Sequence, residues 1–126
     1  MNVVDSSAGL AYFADEPSAG FFAEAIEDDE LLVVPTICIH EVFKVVLRER
    51  GEDAAFQAVA AMQRGVVLDL NSELAMEAAA LGIEEGLSLA DSIIDASARR
   101  VGATLWTQDA HFEGRPGVAY QPKATG

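Results

Sequence analysis

Residues 87–107, LSLADSIIDASARRVGATLWT, contain the unit from which we predict the fold, a helix followed by a strand. Apolar residues and alanines before Gly102 recur at the spacing of a helix that packs on a core, whereas ATLWT is a short apolar run typical of a strand. Asp91 and Asp95 lie four residues apart in this helix, so they share one face. Because like charges at this spacing repel each other by about a few tenths of a kcal/mol, the pair needs a physical reason.

The same alternation of strands and helices extends along the whole chain. We predict further strands at residues 2–4, 31–34, 66–70 and 117–120. We predict further helices at residues 6–15, 17–30, 36–51, 52–65 and 71–86. Because strands separated by helices form parallel βαβ units, this pattern predicts an α/β fold with a central parallel sheet and helices on both faces. We expect a single domain over residues 1–126, with any ligand site beyond the carboxyl ends of the strands.

The composition is that of a globular protein with an unusual charge. Hydrophobic residues make up 51% of the chain and charged residues 23%, close to the averages for soluble domains. No apolar run approaches the roughly 18 residues that span a membrane, and the N-terminus lacks the basic start of a signal peptide. The single cysteine, Cys38, forms no internal disulfide, so we predict a cytoplasmic protein. The net charge of −13 argues against an ordinary nucleic-acid-binding protein, which is expected to be basic.

Two aspartates follow predicted strands. Asp5 comes directly after the first strand, and Asp109 comes just after ATLWT. If both strands are parallel, both carboxylates project from the same edge of the sheet. Each aspartate is alternatively the N-cap of a following helix, because Asp is a favoured N-cap residue.

Two further acids lie on predicted helices. Asp91 completes the sequence SLAD, which fits a capping box at a helix start, so a purely structural role is open for it. Glu41 has an apolar β-branched residue one turn away on each side, which places it at the edge of the buried stripe. A partly buried carboxylate is costly unless it is paired, and the alternative for Glu41 is an ion pair with Lys44 or Arg48.

Together, these acids come from two strand ends and two helices that can converge on one edge of the sheet. Several carboxylates at one site do not all stay ionised without a cation. Oxygen ligands suit Mg²⁺ or Mn²⁺, and the sequence has no cluster of His and Cys with the spacing of a zinc site. The sequence therefore predicts a divalent-metal site formed by Asp5, Glu41, Asp91 and Asp109.

Four segments carry a resemblance to a known family. In order and spacing, VVDSSA, PTICIHEV, LSLADSIIDASA and TLWTQDAHF resemble a PIN-domain ribonuclease, and more narrowly a VapC-type toxin of a bacterial toxin–antitoxin pair. The resemblance covers essentially the whole chain. It implies a parallel sheet between helices, Mg²⁺- or Mn²⁺-dependent endoribonuclease activity, a cognate VapB-type antitoxin and a homodimer.

The resemblance also implies roles for individual residues. It assigns the catalytic and metal-binding positions to Asp5, Glu41, Asp91 and Asp109. Small hydroxyl residues near the acids fall at Ser6 and Thr107, for which a turn or cap role is equally open. Asp95 matches no position of the family. Because it faces the same way as Asp91, it is either an outer ligand of the metal or a solvated surface acid.

An RNA substrate has to be reconciled with the acidic chain. A bound divalent cation reverses the charge locally. A few basic residues would either position phosphates or complement helix dipoles, and these are Lys44, Arg48, Arg99 and Arg100. Two other functions stay open at this stage: a catalytically silent binding module and a haloacid-dehalogenase-type phosphatase. The phosphatase is disfavoured because it needs a second aspartate where this chain has Ser7.

Overall fold

A computed structural model describes residues 1–123, and a parallel sheet of five strands forms the centre of this part of the chain. Numbered in chain order, the strands are β1 Asn2–Val4, β2 Leu32–Pro35, β3 Val66–Leu68, β4 Thr104–Thr107 and β5 Val118–Tyr120. They lie in the order β3-β2-β1-β4-β5, and every neighbouring pair is parallel. The predicted single domain also includes residues 124–126, which lie outside the described residues.

Helices connect the strands. They are α1 Ser6–Phe13, α2 Ala19–Glu27, α3 Thr36–Arg50, α4 Glu52–Met62, α5 Ser72–Glu85 and α6 Leu89–Val101. A short 3₁₀ helix, Ala110–Phe112, follows β4. Within residues 1–123, no helix has the length and apolar character that crossing a membrane requires.

The helices cover both faces of the sheet. Successive residues of a strand point to opposite faces, so the two apolar side chains at the end of β1 pack in different directions. Val3 is buried in one cluster with Val42 of α3 and Ile94 of α6. Val4 packs against a second cluster that contains Phe22 of α2. The predicted fold class, α/β with a central parallel sheet and helices on both faces, is therefore confirmed.

The ends of α5 and α6 follow their local sequence signals. Asn71 caps the start of α5, where its side-chain oxygen accepts a hydrogen bond from the N–H of Leu74 at 2.9 Å. Gly86 and Gly102 end the two helices with φ of 68° and 64°. Only glycine adopts this left-handed region without strain, so the predicted helix ends at these glycines are confirmed.

The strand order determines where a ligand site can form. The chain moves outward from β1 through β2 to β3 and then crosses back to add β4 on the other side of β1. Such a change of direction leaves a crevice at the carboxyl ends of the two central strands, where ligands of open α/β sheets bind. Asp5 follows β1 and Asp109 lies two residues beyond β4, so both lie at this crevice.

Candidate metal centre

Asp5 is the most deeply buried of the four predicted ligands, with 4% of its surface exposed. Its Oδ2 accepts hydrogen bonds from Ser7 Oγ at 2.8 Å and from Thr107 Oγ1 at 2.7 Å. Asp5 occupies the N-cap position of α1, as the alternative expects, but its side chain makes no capping hydrogen bond. Within residues 1–123, no donor bonds to its Oδ1.

The surroundings of Asp5 disfavour its ionised form. Burial raises the pKa of Asp5 from 3.8 to about 6, against the opposing effect of the hydrogen bonds from Thr107 and Ser7. The negative charges of Asp91 and Asp109 raise the pKa further. Three carboxyl groups therefore interact across the crevice. At neutral pH, a divalent cation would relieve this unfavourable accumulation of charge.

Asp109 has a structural role as well as a place at the site. Its Oδ1 accepts a hydrogen bond from the N–H of His111 at 2.9 Å, so Asp109 caps the 3₁₀ helix and the capping alternative is correct for it. Its own N–H donates to Thr107 Oγ1 at 2.9 Å, which connects it to Asp5 through one hydroxyl group. Phe112, which is fully buried, anchors this turn in the core. Capping uses only part of the acceptor capacity of a carboxylate, so it does not exclude a ligand role.

Asp91, Asp109 and His111 form a tight cluster, with one potential ligand atom from each lying within 4.8 Å of the others. His111 Nδ1 is 3.2 Å from Asp109 Oδ1 and 3.5 Å from Asp91 Oδ2. Burial raises the pKa of Asp91, and the charge of Asp109 raises it further. Ser88 Oγ accepts the N–H of Asp91 at 3.3 Å, so the capping signal at the start of α6 is also correct.

Glu41 is held through a residue of α1. It accepts a hydrogen bond on Oε1 from Ser6 Oγ at 2.6 Å, and Ser6 is the residue that follows Asp5. The alternative of an ion pair with Lys44 or Arg48 is wrong, because neither pair occurs among the side chains of residues 1–123. Glu41 is half-buried and lies outside the tight cluster of ligand atoms.

Asp95 belongs to a separate cluster of ion pairs. It is 6% exposed, and its Oδ2 lies 3.0 Å from Arg115 Nη2 and 3.4 Å from Arg99 Nη2. Glu85 contacts the same two arginines. No donor in residues 1–123 is aligned for a hydrogen bond to Asp95 Oδ2, so these contacts are attractions between charges. Asp95 is therefore not a solvated surface acid, and arginines balance its charge.

His111 is the residue at the site that sequence reasoning missed. Its only signal in the sequence is its place two residues after Asp109. Cys38, by contrast, is fully buried, and burial raises the pKa of its thiol above the usual range. Cys38 is therefore a core residue.

The chemistry of the donor set fits a divalent cation. The crevice offers carboxylate oxygens from Asp5, Asp91 and Asp109 together with a ring nitrogen of His111. Oxygen donors suit Mg²⁺ and Mn²⁺, and an added imidazole favours Mn²⁺ over the harder Mg²⁺. Such an ion would neutralise the charges that raise the pKa of Asp5.

The sequence of residues 3–117 matches the family model of the PIN domain. Because this match covers most of the chain, the protein belongs to the PIN domain family. A search of curated protein sequences found no match.

Several solved structures have a similar fold. A toxin–antitoxin complex from Klebsiella pneumoniae aligns with a TM-score of 0.80 and 22% identity over 94% of this chain and 96% of that chain. VapC20 from Mycobacterium tuberculosis, described as a Sarcin-Ricin loop cleaving toxin, aligns with a TM-score of 0.74 and 18% identity over 92% of this chain and 95% of that chain. VapBC2 from Rickettsia felis, bound to a DNA fragment from its promoter, aligns with a TM-score of 0.70 and 14% identity over 96% of this chain and 97% of that chain. At these identities the similarity establishes the fold.

Proposed function

We propose that this protein is a divalent-metal-dependent endoribonuclease and the toxin of a bacterial toxin–antitoxin pair. The observation that carries the proposal is the meeting of Asp5, Asp91 and Asp109 at the crevice of a PIN-family sheet. The toxins and toxin–antitoxin complexes with a similar fold support the biological role.

The ligands of the metal are proposed to be Asp5, Glu41, Asp91 and Asp109, with His111 as an additional donor. When bound, Mg²⁺ or Mn²⁺ supplies a Lewis acid that polarises a phosphoryl group and lowers the pKa of water. Ser7 and Thr107 donate to one oxygen of Asp5, so the other oxygen would be available to the metal. Ser6 fixes one oxygen of Glu41 in the same way.

Water is the proposed nucleophile. Cys38 is buried, and the raised pKa of its thiol keeps it protonated, so it does not attack the substrate. The substrate is a polyanion, and the chain has a net charge of −13. A bound cation reverses the sign of the charge at the crevice, so RNA can approach there despite the acidic surface elsewhere.

Cleavage of a mixed pool of transfer and ribosomal RNA by the antitoxin-free protein tests the activity. We expect cutting in Mg²⁺ or Mn²⁺ that disappears in EDTA and in Asp109→Asn. The exposed Asp29 provides a matched control, because Asp29→Asn makes the same chemical change away from the crevice. Cutting that survives EDTA or Asp109→Asn would contradict the proposal. A protein that neither cuts RNA nor binds Mn²⁺ would instead be a silent binding module.

The proposed partner is a VapB-type antitoxin, in agreement with the complexes formed by similar folds. A basic side chain of the antitoxin would occupy the place of the cation among the carboxylates. We expect the affinity of the antitoxin for this protein to fall when the basic residues in its toxin-binding tail are neutralised. Unchanged affinity would contradict this arrangement.

A homodimer in the cytoplasm completes the proposal. Exposed apolar side chains such as Phe56, Met76 and Ile83 offer surface for a second copy or the antitoxin. Analytical ultracentrifugation of the antitoxin-free protein tests the dimer, and a single monomeric species at micromolar concentration would contradict it.

A further inference from the structure

The basic residues of the fold differ in how far acids already neutralise them. Three arginines each contact two acidic side chains, and these are Arg99, Arg100 and Arg115. Lys44, on α3, makes no ion pair with any residue in 1–123. Arg48, one turn further along α3, has a contact of 3.7 Å to its neighbour Glu49, and both side chains are mostly exposed. Arg64 and Lys123 also make no ion pair within residues 1–123, but they lie apart from each other, after α4 and after β5, whereas Lys44 and Arg48 lie one turn apart on α3 and line one groove.

Lys44 and Arg48 line a groove between α3 and the start of α6, which we call the α3 groove. Its volume is about 320 Å³, at the lower end of the range of ligand sites. Its other walls include Ile37 and Glu41 from α3 and Leu89 and Ala90 from α6. The groove thus combines two cations with apolar surface.

The α3 groove adjoins the candidate metal centre at Glu41. Glu41 lines the groove and also accepts the hydrogen bond from Ser6, beside Asp5. On the opposite wall, Leu89 lies two residues before Asp91, and 78% of its surface is exposed. A strand whose phosphate lies at the metal centre would therefore extend directly between α3 and the first turn of α6.

We propose that the α3 groove binds the RNA strand next to the cleaved phosphate, with Lys44 and Arg48 each contacting a backbone phosphate. This inference rests on the proposed nuclease function and adds the path of the substrate. Charge complementarity favours the strand as occupant, because the protein is otherwise strongly acidic. Ile37 and Leu89 offer apolar contact to a sugar or an unstacked base. The strand does not follow the C-terminal half of α6, because acids neutralise its arginines.

The salt dependence of RNA binding tests this path. The probe is a fluorescent single-stranded RNA of about 12 nucleotides and mixed sequence, a length within the range of single-strand sites. Phosphorothioate linkages keep its charge and resist hydrolysis, so the Mn²⁺-loaded protein can be used with its site intact. Lys44→Gln with Arg48→Gln is compared with Arg99→Gln with Arg100→Gln, which removes the same charge from α6.

Loss of two phosphate contacts should reduce the slope of log K against log salt concentration by about 1.4, since each contact to a single strand contributes about 0.7. We expect this reduction in the α3 double variant, with roughly tenfold weaker binding at low salt. The α6 double variant should keep the slope of the unmodified protein. A charge-conserving pair, Lys44→Arg with Arg48→Lys, should keep it as well.

Two results would overturn the inference. If the unmodified protein binds and cleaves RNA but Lys44→Gln with Arg48→Gln leaves the salt slope unchanged, the α3 groove does not bind the strand. The nuclease function would stand in that case. Equal reductions in both double variants would show that overall charge, rather than local contacts, governs binding. Failure of the unmodified protein both to bind the probe and to cleave RNA would overturn the nuclease function as well.

Discussion

Asp91 and Asp95 occupy the same face of α6, four residues apart, yet their surroundings are opposite. Asp91 lies near a second acid, Asp109, and its side chain is 14% exposed. Asp95 is even more buried, with 8% of its side chain exposed, but two arginines balance its charge. The first turn of the helix concentrates negative charge at the crevice, whereas one turn later the charge of Asp95 is neutralised within the protein.

The difference shows that burial alone does not identify a metal ligand. A buried acid beside arginines is an ion pair that connects parts of the fold. A partly buried acid beside other acids lacks such a partner, so a cation from solution can supply the missing charge. The repulsion expected between Asp91 and Asp95 is thus offset by arginines at Asp95 and, in the proposed function, by a metal at Asp91.

The largest effect is expected on catalysis. Asp91→Asn should reduce the rate of metal-dependent RNA cleavage by at least about a hundredfold, or roughly 3 kcal/mol, because it removes a proposed metal ligand. The cleavage rate of Asp95→Asn should stay within about threefold of that of the unmodified protein, provided that the assay is run well below the melting temperature of the variant. Single-turnover cleavage rates measure both. Comparable losses of cleavage rate in two folded variants would contradict the distinction drawn between Asp91 and Asp95.

The next effect concerns the stability of the metal-free protein. Because the pKa of Asp5 is raised to about 6 in the folded state, folding favours its protonated form. The stability that this group contributes is complete below pH 3.8 and is lost as the pH rises through about 6. Asp5→Asn resembles the protonated form, so at pH 7.5 it should be more stable than the unmodified protein by roughly 2–3 kcal/mol.

Urea unfolding in EDTA at two pH values measures this difference. The advantage of Asp5→Asn should grow by about 1 kcal/mol between pH 5 and pH 7.5, because the proton leaves Asp5 over that interval. Addition of Mn²⁺ should stabilise the unmodified protein and leave the variant nearly unchanged. An advantage that does not vary with pH would show that Asp5 titrates normally.

A somewhat smaller effect on stability is expected at Asp95, in the middle of α6. Asp95→Asn leaves Arg99 and Arg115 with Glu85 as their shared acidic partner among residues 1–123, so we expect a loss of about 2 kcal/mol. This is less than for a fully buried pair because Arg99 is half exposed. The melting temperature should fall by roughly 6 °C. Asp29→Asn, which removes an exposed charge, should change the melting temperature by less than about 2 °C, and an equal fall in both would contradict the ion-pair assignment.

The sequence predicts the strands and helices because each element depends on signals from neighbouring residues. The same signals place Asp5 and Asp109 at strand ends. Apolar periodicity, helix caps and terminal glycines are local signals. The alternation of elements then implies which strand ends meet. The parallel sheet and its ligand edge follow from these rules alone.

The hydrogen-bond and ion-pair partners were not predictable in the same way. Thr107 donates to Asp5 across 102 positions of sequence, and Arg115 reaches Asp95 only because the turn after β4 packs beside α6. Spacing within α6 makes Asp91 and Asp95 equivalent, so the sequence pattern alone could not separate a candidate ligand from an ion pair. Tertiary packing creates that distinction.

The smallest effect concerns the choice of metal. His111→Gln should weaken Mn²⁺ binding by about five- to tenfold and Mg²⁺ binding by less, because imidazole is a softer ligand than a carboxylate. Calorimetric titration with each metal measures the two affinities. Equal weakening of both would assign His111 a role in the shape of the site rather than in coordination.

Titration of the antitoxin-free protein with Mn²⁺ tests the central claim most directly, because it does not depend on finding the RNA substrate. The unmodified protein and Asp95→Asn should bind Mn²⁺ with similar affinity, whereas Asp91→Asn should show little or no binding. An unmodified protein that binds no Mn²⁺, or an Asp91→Asn variant that binds it unchanged, would contradict a metal centre at the crevice.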